Sequence, residues 1–183
     1  MINFFAKIII ILLFSAQVYS HPMPQSIIEV AIIETEWQLT LKLPESRLQV
    51  ALTQLAYKKS TQLNTARPKL TIDTVRKYVS ERITAKSVDG LAWDVEIILV
   101  VPPKSNHIWQ VNVVMKPPLK ANKRIVELNY GVILDEIVTH KASVVLVKKL
   151  AEILPENKYP LLGVLKGSRK KLVMNTNKKL HKY

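Results

Sequence analysis

Between Trp37 and Leu43 the chain reads WQLTLKL, with Trp37, Leu39, Leu41 and Leu43 alternating with Gln38, Thr40 and Lys42. Successive side chains of a strand point to opposite sides of a sheet, so a period of two predicts a strand with one buried and one wet face. The preceding run SIIEVAIIE, Ser26 to Glu34, is equally rich in β-formers, and the two together predict a hairpin. Pro44 then stands where a first helical turn tolerates it, and Leu48, Leu52 and Leu55 recur at spacings of four and three, predicting a helix near Glu45 to Ala56. Lys58 to Lys69 carries no pattern and reads as a loop. A second helix is expected from Thr71, with Ile72, Val75, Val79 and Ile83 on one face and Asp73 near the positive end of the dipole.

Asp89-Gly90 separates Ile83–Val88 from Leu91–Val101 and predicts a hairpin closed by a type I′ turn. Strands are expected at His107–Met115 and Arg124–Leu134, set apart by Pro102-Pro103 and Pro117-Pro118, because proline pairs cannot continue a ladder. Lys141–Lys149 predicts another strand, and Leu161–Leu165 and Leu172–Met174 weaker ones. About eight strands at short spacing with two helical excursions give a mainly β fold, an antiparallel β-sandwich of immunoglobulin-like type. Tyr130 reads first as a core tyrosine and second as a tyrosine corner.

The first 20 residues have Lys7 as their only charge, then the apolar run Ile8–Phe14, then small polar residues ending at Ser20. This is the order of a secretory signal peptide, with the scissile bond between Ser20 and His21. The apolar run falls short of the roughly 20 residues that span a bilayer. The expected organisation is a signal peptide over 1–20, a β-sandwich domain over 21–165 and a basic C-terminal tail over 166–183. The expected localisation is periplasmic, or otherwise outside the inner membrane, soluble or peripheral. Without cysteine there is neither a disulfide framework nor thiolate metal chemistry, so packing must supply stability. The mature chain carries 26 Lys and Arg against 14 acids, and seven of those cations lie in Lys166–Tyr183 with no acid among them. Such a tail suits an anionic membrane surface or a membrane-protein partner, and nucleic acid is not expected for an exported chain. The commonest state of such a tail is solvated.

HPMPQS directly after the signal, WQLTLKLPESRLQVAL, YVSERITAKSVDGLAWDVEI and LNYGVILDEIVTHKASVVLV, in that order and spacing, resemble the extracytoplasmic N-terminal domain of the HupE/UreJ-like membrane proteins. The resemblance covers nearly the whole mature chain, without the multi-helix membrane domain that usually follows. It implies an accessory role linked to nickel. It also implies three histidine neighbourhoods, of which this chain keeps His21 and His140, has Arg82 in the second, and has Asp135 for the first histidine of the third. Arginine cannot ligate a metal at neutral pH, whereas aspartate can, so the resemblance implies an altered site here.

From the residues themselves, an N-terminal His21 offers its α-amine and Nδ1 to one ion. Pro22 has no amide hydrogen to lose, which blocks further backbone coordination and leaves a brace of amine and imidazole. Nitrogen donors in an open tetragonal site favour Cu(II) or Ni(II). His140, Asp135, the thioether of Met23 and His107 are the candidate further ligands, and His181 reads as solvated. His140 reads first as a residue that satisfies a turn and second as a ligand, and His21 first as an incidental product of cleavage and second as an anchor for metal. Asp135 and His140, five apart, point opposite ways on a regular strand and meet only if the chain bends; Glu136 and His140 share a face if that bend is helical. No G-x-S-x-G, H-E-x-x-H, P-loop or dinucleotide fingerprint occurs, and an enzyme is not expected. The functional expectation is a metal-binding accessory domain, with a metal-free interaction or adhesion module as the alternative.

Overall fold

A computed structural model of the 183-residue chain describes residues 24–33, 36–59, 67–119, 125–147 and 160–175. The expected signal segment, His21, Met23, His181 and the last part of the basic tail lie outside the described residues. In chain order the described elements are β1 (Ser26–Ile33), β2 (Glu36–Pro44), α1 (Glu45–Lys59), α2 (Ile72–Ser80), β3 (Ile83–Ser87), β4 (Asp94–Val101), β5 (Ile108–Lys116), β6 (Ile125–Tyr130), β7 (Lys141–Leu146), β8 (Leu161–Lys166) and β9 (Lys171–Asn175). The fold is mainly β, with a six-stranded sheet in the order β4-β5-β2-β1-β7-β8 and a three-stranded sheet in the order β3-β6-β9. One buried cluster joins the two sheets and both helices into a sandwich.

β1 and β2 form the expected hairpin, with Val30 opposite Leu39 and Ile28 opposite Leu41. Trp37, Leu39, Leu41 and Leu43 are all buried, as the alternation requires, and each such side chain removed from water contributes roughly 1.5–3 kcal/mol. The opposite face is drier than expected: Thr40 is buried, and Lys42 pairs with Glu29 across the hairpin at 2.5 Å. Every strand pairing is antiparallel except β1 with β7, which is parallel, with Ser26 opposite Ala142 and Val30 opposite Leu146. The expected antiparallel sandwich is thus present with one parallel pair in it, and that pair positions the site described below.

Pro44 ends β2, and α1 begins at once, its Glu45 N–H donating to the His107 carbonyl at 2.9 Å. Leu48 and Leu52 are buried and Leu55 packs on the core, matching the spacing that predicts the helix. In α2, Thr71 caps the N-terminus by accepting from the Thr74 N–H, and Val75, Tyr78 and Val79 form the buried face. Ile72 stays exposed, and Ile83 has already left the helix to start β3.

Three local expectations are corrected. The Asp-Gly turn is not type I′, which would need positive φ at both central residues; only Gly90 has it, at 84°, following a turn from Ser87 to Gly90 closed by a 3.0 Å bond. Beyond that turn the paired segment is short, running to the Trp93 N–H on the Ala85 carbonyl, and β4 then joins the other sheet. The strand expected over 124–134 ends at Tyr130, because Val132, Ile133 and Leu134 enter a turn in which all three are buried. Of the basic stretch from residue 166, Lys171–Asn175 form β9, paired with β6 through Leu128 and Leu172, so this part belongs to the sandwich. Among the described residues no helix is long and apolar enough to cross a membrane.

Candidate functional site

The parallel pairing of β1 with β7 sets the starts of these strands side by side, although 114 residues separate Ser26 from His140. Because β2 runs antiparallel to β1, its end returns to the same place, and the first turn of α1 brings Arg47 there too. The result is a cavity of about 280 Å³ lined by Pro24, Gln25, Arg47, Ile137, Thr139, His140 and Lys141.

His140 is 5% exposed, its N–H donating to the Ile137 carbonyl and its ring Nε2 lying 2.9 Å from Ser26 Oγ. Ser26 is itself fully buried, and the buried Tyr130 hydroxyl approaches it without a hydrogen bond of good geometry. Tyr130 bonds no upstream backbone, which removes the tyrosine-corner reading and leaves a core tyrosine. Burial pushes its phenol well above the usual range. Burial, with the Arg47 guanidinium adding to it, pushes His140 down to about 4. The imidazole is therefore neutral at physiological pH, the form a metal requires. The bond to Ser26 fixes the ring orientation in either tautomer, and in the tautomer whose Nε2–H is the donor Nδ1 keeps its lone pair.

The segment that delivers His140 is a run of turns from Gly131, with Asp135 N–H on the Gly131 carbonyl at 2.9 Å and Ile137 N–H on the Ile133 carbonyl at 2.8 Å. Ile133 has φ +65°, an uncommon conformation for a β-branched residue, and is held there by full burial and by Tyr78 Oη, which accepts its N–H at 2.9 Å. Tyr78 donates in turn to Glu136 Oε2 at 2.5 Å, and Arg82 meets Glu136 Oε1 through Nη2 at 2.9 Å while its guanidinium lies 4.1 Å from the Tyr78 ring centroid. Burial and the bond to Glu136 raise the Tyr78 phenol far above its usual range. Arg82, the residue that the resemblance puts at a histidine position, thus works as a clamp between α2 and this segment.

The chain does bend between Asp135 and His140, yet the bend does not bring them together. Asp135 pairs with Lys170 and lies 3.9 Å from Arg82, while His140 turns to Ser26 and the cavity. Glu136 likewise faces Tyr78 and Arg82, not His140. His107, at φ +53°, pairs with Glu45 at 3.0 Å beside a separate, open groove. His21 and Met23 lie outside the described residues; Pro24, the residue next to Met23, lines the His140 cavity. Among the described residues no three His, Asp or Glu side chains converge in a way that could hold a metal. Sequence reasoning passed over Ser26, Arg47 and Tyr78. Tyr78 had a legible signal, lying on the same apolar face of α2 as Val75.

The fold and this cavity define the class as a mainly β sandwich with a buried neutral histidine at the joined starts of two parallel strands. No protein-family model matches the chain, and no curated protein matches it.

Proposed function

We propose that this is an exported metal-binding accessory domain that handles Cu(II) or Ni(II) at the His140 cavity, with the N-terminal His21 as the second anchor. The observation that carries the reading is that His140 and Pro24 line one cavity. His21 stands three residues before Pro24, and three extended residues span at most roughly 10 Å. A processed N-terminus would therefore start three residues from a residue that shares the cavity with His140. The neutral imidazole, with one ring nitrogen tied to Ser26, fits nitrogen coordination. Asp135, engaged with Lys170, drops out of the ligand set, and the thioether of Met23 stays in it. The test is metal analysis together with intact mass on protein recovered from the exported fraction. One equivalent of copper or nickel on a chain starting at His21 supports the reading; a metal-free chain, or one retaining residues 1–20, contradicts it.

A metal-free interaction module is the second reading. It is favoured by the two cations on the cavity wall, which suit a docked acidic group better than a bare cation.

A further inference from the structure

We propose that the cavity between the starts of β1 and β7 binds a small carboxylate with a short apolar tail, held by Arg47 and Lys141 and seated against Pro24 and Ile137. Among the described residues neither Arg47 nor Lys141 has an ion-pair partner, and what sets them apart from unpaired surface cations is that both line one cavity. Among the described residues no acid lines the cavity. Half-buried Arg47 therefore points an unneutralised guanidinium at a partly enclosed space, where its charge is screened less than on open surface.

The chemistry of the wall narrows the ligand class. A guanidinium presents parallel N–H donors that match the two oxygens of a carboxylate. Gln25 adds an amide, Thr139 a hydroxyl and Lys141 a second cation, while Pro24 and Ile137 supply apolar surface that a phosphate or sulfate ion would leave unused. A volume of about 280 Å³ admits an acid of a few carbons and no large ligand. The inference rests on the cavity alone and holds with or without a metal. It also suits one: a divalent ion entering beside Arg47 meets a like charge, which an accompanying carboxylate neutralises.

The experiment uses the full chain stripped of metal with a chelator and titrated with isovalerate, read by the amide shifts of Thr139, His140 and Lys141 in NMR. Saturable shifts at millimolar concentration are expected, weakened at least about tenfold by R47Q, with inorganic sulfate a poor competitor. A peptide ending in valine with a free C-terminus, set against its amide, separates the two sources of such a group. Tighter binding of the free-ended peptide than of isovalerate assigns the site to a polypeptide terminus, and the reverse assigns it to a free acid. K141Q, at an exposed position where folding is not at stake, should lose less than R47Q but in the same direction. No saturable shift, equal affinity in R47Q with an unchanged melting temperature, or binding only after copper is added would each overturn the proposal. The last outcome would leave the metal reading standing.

Discussion

Removing one oxygen atom, in Tyr78→Phe, should destabilise the domain and loosen the segment that carries His140. Tyr78 Oη accepts from the Ile133 N–H at 2.9 Å and donates to Glu136 at 2.5 Å. Ile133 is fully buried, so its N–H would be left without a partner at a cost of about 1–3 kcal/mol, and the bond to the Glu136 carboxylate, which also pairs with Arg82, contributes about 1.5–3 kcal/mol. The two losses do not simply add, because Arg82 still holds Glu136 at 2.9 Å; the expected total is about 2–4 kcal/mol. Urea unfolding of Tyr78→Phe beside Tyr57→Phe, whose ring is half exposed, isolates the effect, and the control should stay within about 0.5 kcal/mol of the parent. Amide exchange should quicken across residues 131–140 before it does in β1 and β2. If Tyr78→Phe proves as stable as the control, the clamp between α2 and this segment is not what holds Ile133 in its unusual conformation.

Acid should weaken the fold through His140. Its folded value of about 4 lies below the usual 6.5, so its contribution is intact above pH 6.5 and is lost as pH falls from there towards 4. The whole shift would be worth about 3 kcal/mol, reduced to about 1–2 kcal/mol because the ring borders a cavity that is only partly enclosed. His140→Gln should flatten the decline in melting temperature between about pH 7 and about pH 5, and an unchanged decline would count against it. Glycine substitutions should separate by cause. Gly90→Ala meets open space and should cost only about 1–2 kcal/mol for its positive φ. A Cβ at Gly167 would lie 2.7 Å from Val138 Cα, so Gly167→Ala should cost more in urea unfolding and disturb the His140 segment. Deleting Lys178–Tyr183 should weaken binding to anionic liposomes at low salt with little change in melting temperature, and salt-insensitive binding would contradict a role for that charge.

Much of the strand and helix layout is legible in the sequence because it is local. The alternation from Trp37 to Leu43 and the four-and-three spacing from Leu48 to Leu55 each report a face buried by the element they sit in. Val132, Ile133 and Leu134 mislead for the same reason: three consecutive buried residues look like strand, but here a turn is packed on all sides. Pairing partners are another matter. Nothing in the period of β1 or β7 says that they run parallel, and Asp89-Gly90 makes a turn without saying that β3 and β4 belong to different sheets. His140 was readable as a candidate through the resemblance and as a nitrogen donor to complete a brace at His21, while its place between two apolar runs spoke for a residue that satisfies a turn. Its neighbours were not, since Ser26, Pro24 and Arg47 reach it only through that long-range parallel pairing. Asp135 enters the candidate set through the resemblance, where it stands for a histidine, and its carboxylate is claimed by Lys170 from the turn before β9.

Calorimetric titration of processed protein with Cu(II) tests the central proposal most directly, run on the parent, on His140→Ala and on a chain with one extra residue before His21. One equivalent is expected for the parent, with a loss of at least about tenfold, roughly 1.4 kcal/mol, in each of the other two. The extended chain keeps both imidazoles and moves only the free amine, so its loss distinguishes an amine-and-imidazole brace from an ordinary pair of histidines. Should His140→Ala bind copper as tightly as the parent, the N-terminus is chelating by itself, and the cavity between β1 and β7 is not a metal site.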